Sequence, residues 1–471
     1  MISRLLAGML VCASAGAALA APLTFTVDMA IMHSFGQFNP AADLVVLRGT
    51  MNGWSGNADA LADADGDLVF EIVKDLAPGT HAYKFVLVRG GSERWEHSIP
   101  DRMVTVGSEP ASLPPVFFDH RAGWMPGGTR TGADLSFTPR LVSLGAQYRV
   151  GGEPVDLLGA CADAGYGIVR LRLWHTPAEP WHGLDATVAF AREAKARGLD
   201  LMLDLHYSDT WADPGHQTKP AAWEGIPFEA LVDSVYAYTN AVVRRFRDAG
   251  ALPEYVQIGS EISAGMLWDD GRVGWAGSEW DTGEQWDRFA ALVSAGVAGA
   301  RGSLAPSERP AVVVHFDHGG NNAGCRWFFD NLLARGVAFD AIGLSYYPWW
   351  HGEIWRLRDN LVDLAVRYGR EIMIVEAGYP WTLDWQDDTP NFVGSESQLH
   401  AGYPATPEGQ LAFLRDVVTI AEATPGGLGT AVLYWEPGFL AVEGGPENPY
   451  ENLTLFDFEG DALPGFRFGA R

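Results

Sequence analysis

The stretch Ile168-Val169-Arg170-Leu171-Arg172-Leu173-Trp174, then the helical pattern Leu184–Arg197, then Leu199-Asp200-Leu201-Met202-Leu203-Asp204-Leu205-His206, decides the fold. Two apolar runs of strand length flank a segment of helical period, and a helix between two strands returns the chain so that they pair in parallel. Outward from this unit, similar runs recur at Gly132–Phe137, Tyr255–Ile258, Ala311–His315, Phe339–Leu344, Ile372–Val375 and Thr430–Tyr434. Helix-like segments lie between most of them, among them Phe228–Asp248, Gln285–Ala300 and Glu408–Ala423. Eight strands alternating with helices predict an α/β protein, a (β/α)8 TIM barrel with loop insertions, over 131–471. No glycine-rich phosphate fingerprint follows the first run, which argues against an open doubly wound sheet.

The front of the chain reads differently. Val45-Val46-Leu47 precedes Asn52-Gly53, Leu68 to Val73 precedes Pro78-Gly79, and Tyr83 to Val88 ends at Gly90-Gly91. Short strands broken by turns, with no sustained helical period, predict an N-terminal all-β, immunoglobulin-like sandwich over 21–120. Positions 121–130, with Gly123, Pro126, Gly127 and Gly128, read as a linker. Residues 1–20 read as a signal peptide: Arg4, an apolar Leu5 to Ala18, and the small-x-small Ala18-Leu19-Ala20. An exported protein, periplasmic or extracellular, is expected. Cys161 and Cys325 lie in helix-like stretches and are expected as buried thiols. A net charge of −26 and a pI near 4.7 argue against nucleic-acid and membrane partners, which call for basic patches. They fit a soluble protein, expected as a monomer, acting on a neutral polymer.

Residues at the C-terminal ends of barrel strands share the mouth where chemistry occurs. Glu261 follows the fourth run and Glu376 the seventh. Retaining glycosidases need two carboxyl groups about 5–5.5 Å apart, one nucleophile and one proton donor. Aromatic residues crowd the same strand ends: Trp174, Trp211, Trp223, Trp268, Tyr347, Trp349, Trp350, Trp381 and Trp435, with His206 and His315. Sugar rings have apolar faces that stack on such planes while polar groups take their hydroxyls. Arg170 and Arg172 share one strand face, and an arginine beside a nucleophilic carboxylate keeps it ionised. His315 and Asp317 near the fifth run, and Trp268 after the fourth, are further expected sugar contacts.

From about Arg130 to Phe466 the chain resembles glycoside hydrolase family 53, the endo-β-1,4-galactanases. The matching stretches include Gly132-Ala133-Asp134, Val169 to Trp174, Leu203 to Pro214, Val256-Gln257-Ile258-Gly259, Glu261 and Gly265-Met266-Leu267-Trp268. They continue with Gly343 to Pro348, Val375-Glu376, Tyr434-Trp435-Glu436-Pro437 and Leu455-Phe456-Asp457. The resemblance implies a double displacement on β-1,4-galactan, with Glu261 as acid/base and Glu376 as nucleophile. It implies that Arg170 and Tyr347 position Glu376, and that His206, Asp209, Trp211 and Trp435 line the subsites. Ser260 stands where the family has Asn, a contact to the sugar 2-hydroxyl; serine is shorter and reaches that hydroxyl through a water. No cofactor is required. Some members bind calcium near the last strand, where Glu443, Glu447, Asn448 and Glu451 offer oxygens at a spacing that is not diagnostic. The front stretch resembles glycogen- and starch-binding sandwich modules, which implies Trp54, Lys84 and Trp95 as candidate sugar contacts. Asp63-Ala64-Asp65-Gly66-Asp67 reads as a hairpin turn rather than a calcium loop.

Overall fold

The computed structural model describes residues 20–29, 32–33, 37–96, 101–113, 115–118, 129–275 and 277–470. The expected signal peptide up to Leu19, and 121–128 of the expected linker, lie outside them. The chain divides into two compact units, Met1–Met125 and Pro126–Arg471.

In the second unit eight parallel strands close a barrel in chain order: β1 Arg130–Asp134, β2 Ile168–Leu173, β3 Asp200–Leu205, β4 Tyr255–Ile258, β5 Ala311–Phe316, β6 Ala341–Tyr346, β7 Glu371–Ala377 and β8 Gly429–Trp435. β8 pairs with β1, Leu433 opposite Gly132, and completes the ring. The expected run Gly132–Phe137 starts two residues earlier and stops at Asp134, where the chain turns into its loop. The helix Gly283–Arg301 is capped by the Thr282 side chain on the Gln285 N–H, and Pro407–Glu422 by Thr406 on Gly409. Pro407 stands at the first helical position, where a missing N–H costs nothing.

Side-chain alternation sorts each strand into two faces. Val169, Leu171 and Leu173 belong to the core under the helices, whereas Ile168, Met202, Val313, Ala341, Met373, Val375, Ala431 and Leu433 form a separate core inside the barrel. Stepping by two from that apolar floor toward the strand C-termini gives Arg170 and Arg172 on β2, Asp204 and His206 on β3, His315 and Asp317 on β5, and Ser345 and Tyr347 on β6. A polar layer therefore caps an apolar plug at the mouth of the barrel. β7 breaks the rule. Met373 and Val375 face inward, so Glu376 in regular register faces out, but the pairing shifts between Leu344 and Ser345 on one side and between Ile374 and Ala377 on the other. This bulge turns Glu376 into the mouth, opposite Ser345.

The first unit holds two four-stranded sheets. Ala21–Asp28 pairs with Val69–Leu76, Ala111–Ser112 and Val116–Phe117; Gly79–Arg89 pairs with Leu44–Gly49, Ser92–Trp95 and Arg102–Val106. Leu23, Phe25 and Val27 from one sheet and Tyr83, Phe85 and Leu87 from the other alternate into a common core. Asp63 accepts the Gly66 and Leu68 N–H groups, turning the chain back so that Ala62 bridges Glu71. No described helix is long and apolar enough to cross a membrane.

Candidate active site

Arg170 stands at the centre of the polar layer. Its Nη1 lies 2.9 Å from Asp134 and 2.9 Å from Glu376, its Nη2 2.8 Å from Asp204, and its Nε donates to Gln257 at 3.2 Å. Burial alone would strip the charge from such a group; Asp204, Glu376 and Asp134 hold it on. Burial likewise raises Asp204, but Arg170 and His206 bring it down to about 2. Glu376 receives Arg170 on Oε1 and the Tyr347 hydroxyl, 3.1 Å away, on Oε2.

Glu261 is built by a different chain of contacts. Its backbone adopts the left-handed region, φ 48° and ψ 50°, which costs a non-glycine residue about 1–2 kcal/mol. Of the other left-handed non-glycine residues described in this unit, Tyr207 and Glu436 also follow barrel-strand ends, and Leu267 lies farther along the Glu261 loop, after the strand Gly265–Met266. The Glu261 N–H donates to His315 Nδ1 at 3.2 Å, which also accepts from the Gln257 amide at 3.1 Å. With Nδ1 accepting, the ring proton sits on Nε2, 2.9 Å from the Ser345 hydroxyl, and that hydroxyl donates to Glu261 Oε1 at 2.6 Å. Burial, then Arg170, push His315 far below its usual value, so the ring is neutral.

The two carboxylates differ in their hold on a proton. Burial raises Glu261 well above the usual carboxylate range, and the charges of Glu376 and Asp317 raise it further. Burial also raises Glu376, but Arg170 opposes it and leaves the group at about 7. Glu376 is therefore the first of the pair to ionise, and its charge keeps the proton on Glu261. Carboxylate oxygens of the two approach within 4.8 Å. That spacing suits attack on a carbon and protonation of the oxygen attached to it. It is too short for the intervening water of an inverting site, which needs about 6.5–9.5 Å.

Above the pair opens a cavity of about 830 Å³. One wall is aromatic: Phe137 stacks on Phe439 at 4.3 Å, Trp211 lies 6.3 Å from Trp435, and Arg172 packs over Trp211 at 4.2 Å. Trp350 and Phe392 meet edge to face at 5.2 Å on another wall, beside Asp317 and His318. The exposed faces of Trp211, Trp350 and Phe392, with carboxyl and imidazole edges beside them, fit a chain of neutral sugars.

Residues 130–468 match the family model described as Glycosyl hydrolase family 53. The chain belongs to that family. An uncharacterized protein of Niallia circulans is 45% identical over 71% of this chain and 92% of its own length. An arabinogalactan endo-beta-1,4-galactanase of Cellvibrio japonicus is 35% identical over 72% and 89%. Among solved structures, the family 53 catalytic domain of Ignisphaera aggregans superposes with a TM-score of 0.68 at 32% identity, covering 76% of this chain and 99% of that one.

Of the expected site residues of this family 53 chain, Glu261, Glu376, Arg170, His206, Trp211, Ser260, Asp317, Tyr347 and Trp435 line the cavity. His206 offers it no free polar atom: Nε2 faces Asp204 at 3.1 Å and Nδ1 accepts the Ala212 N–H at 2.9 Å. Three expected sugar contacts lie elsewhere. His315 is buried beneath the carboxylates as described. Asp209 receives the Thr176 and Ala221 N–H groups, each at 2.9 Å, and ties two loops together. Trp268 donates its indole N–H to the Ala264 carbonyl, and Arg272 covers its face at 4.5 Å. Sequence reasoning missed Gln257 and Ser345 as positioning groups, although Gln257 sits at the inward phase of a recognised run and Ser345 directly follows another. It also missed Glu436, which accepts the Phe137 N–H at 3.0 Å and pairs with Arg172 at 3.1 Å.

Among the described residues, the carboxylates near β8 do not converge as a metal-ligand group. Glu451 accepts the Gln386 and Asp387 N–H groups, Asn448 accepts the Tyr450 N–H, and Glu447 borders the cleft. In the sandwich, Trp54 and Trp95 form a half-exposed pair 6.5 Å apart. The Lys84 ammonium donates to the Glu96 carbonyl and lies 3.7 Å from Asp101. Cys161 and Cys325 are buried free thiols.

Proposed function

We propose that the protein is a retaining endo-β-1,4-galactanase acting on the galactan side chains of pectin. The observation that carries this reading is the carboxylate pair within 4.8 Å, one held by Arg170 and Tyr347 and the other by Ser345. In the first step a Glu376 oxygen attacks the anomeric carbon as the glycosidic C–O bond breaks, and Glu261 gives its proton to the departing oxygen. Once the leaving chain departs, Glu261 is a carboxylate. It takes a proton from water, whose oxygen attacks the anomeric carbon and releases Glu376. Ser345 occupies Glu261 Oε1 as a donor, which directs the acidic proton to Oε2. The galactanase named among the relatives supports galactan as the polymer.

The same reading includes export through residues 1–20, a monomer, and a sandwich that holds glycan through Trp54 and Trp95. The deciding experiment is hydrolysis of linear β-1,4-galactan by the mature protein, with product anomers followed by NMR. Initial release of β-configured ends, lost in Glu376→Gln, is expected. α-Configured ends, or no cleavage by a folded protein, would overturn it.

A further inference from the structure

The loop that carries Glu261 does not end at the cleft. From Ile262 it turns through the short hairpin Gly265–Met266 and Gly271–Arg272 before the helix Gly283–Arg301 begins. It contains three tryptophans, Trp268, Trp275 and Trp280. Arg272 lies between two of them, 4.5 Å from Trp268 and 4.6 Å from Trp280, a stacked aromatic–guanidinium–aromatic arrangement. Hydrogen bonds tie parts of the loop to the following helix. Asp281 accepts the Gly277 N–H at 2.8 Å and the Trp286 indole N–H at 2.9 Å, and the Ser278 N–H closes a turn on the Trp275 carbonyl. Trp275 is 78% exposed, the most exposed of the large apolar side chains described. A second hollow, about 240 Å³, is lined by Trp280, Glu279, Thr282, Glu284 and Gln285, and Trp280 packs against Gly274, the residue before Trp275.

A large aromatic ring left in water, near a polar hollow lined in part by another indole, has the composition of a sugar-binding surface. Its carboxylates and amide offer acceptors to hydroxyl groups, and they disfavour an anionic chain. The patch is also joined to the catalytic cleft. The Trp268 N–H donates to the Gln217 carbonyl, and the Gln217 amide donates to the carbonyls of Ser260 and Asp213, both of which border the cavity.

We propose that Trp275, Trp280 and the polar residues of that hollow bind the neutral substrate chain beyond the catalytic cleft. The inference rests on the reading of the protein as a galactan hydrolase. The site grips only chains long enough to extend past the cleft. It thus favours polymer over oligosaccharide without touching the reacting bond.

The test compares kcat/KM of the full chain on long galactan and on galactotetraose for wild type, Trp275→Ala and Trp275→Tyr. Trp275→Ala is expected to lose about three- to tenfold more on the polymer than on the tetrasaccharide, the range of one lost aromatic stack. Trp275→Tyr, which keeps a stacking face, is expected to restore most of that difference. Equal losses on both substrates, or none on the polymer, overturn the proposal. Should wild type leave galactan uncut, the functional reading fails first. The same variants on the β-glycan that wild type does cut, long against short, then decide the surface site.

Discussion

Tyr347 shows how one hydroxyl sets a pH limit. It donates to the Glu376 carboxylate and so favours the ionised form. Activity requires Glu376 ionised, so the acidic limb of kcat/KM falls as pH drops through a value near 7. Tyr347→Phe removes the donor, raises the Glu376 pKa and moves that limb to higher pH. Kinetic pH profiles should also record a loss of roughly tenfold or more at the optimum, since a hydrogen bond to a charged group contributes about 1.5–3 kcal/mol. Asp317 acts on the other limb. Its charge raises Glu261, so Asp317→Asn lets the acid lose its proton sooner and moves the basic limb to lower pH. For Glu261→Gln, kcat on galactan should fall by about 10²–10⁴-fold. In kcat/KM, which reports only the first step, the loss should be far smaller on an aryl glycoside whose leaving group departs without a proton. Equal losses on both substrates would remove Glu261 from the acid role.

At the scale of the element, β1 carries a tight approach. A Cβ added at Gly132 meets the Ile168 carbonyl oxygen at 2.3 Å and the Leu433 side chain at 2.5 Å. A neighbouring strand's backbone cannot yield as a side-chain tip can. Gly132→Ala should therefore cost about 1–3 kcal/mol, seen as a lower denaturation midpoint with an unchanged m value. The strands themselves were legible because each is an apolar run of strand length bounded by turns, and the helix Phe228–Asp248 stands at the positions its period predicts. Glu261 and Glu376 were legible as acids following the fourth and seventh runs. What the sequence hid was direction. Nothing in Ile374-Val375-Glu376-Ala377 announces the bulge that turns Glu376 inward, because a bulge arises from pairing with other strands. Trp268 and Asp209 lie outside the cavity lining for a related reason: loop paths decide which side chains reach the cleft. Gln257 and Ser345 were readable in principle, as polar residues at the inward phase of otherwise apolar strands.

Across the whole molecule the net charge of −26 separates neutral from acidic polymers. A neutral galactan feels no long-range force, so its kcat/KM should change little between low and moderate salt. A galacturonate-rich chain is repelled, and its inhibition of galactan cleavage should be weak at low ionic strength and strengthen as salt screens the repulsion. Steady-state rates measured across a salt series, with and without polygalacturonate, check both statements. A steep fall of galactan cleavage with added salt would contradict the neutral-substrate reading.

The neutral His315 ring touches both the backbone N–H of Glu261 and, through Ser345, its carboxylate. It takes no part in bond breaking, yet its two nitrogens see different halves of the same residue. This makes the imidazole a built-in spectroscopic probe. In ¹⁵N-labelled protein the Nε2–H resonance should move as Glu261 passes between acid and carboxylate, while Nδ1 stays fixed unless the loop itself shifts. One side chain would then report the protonation state of the catalyst separately from its position, with no foreign group attached to the protein.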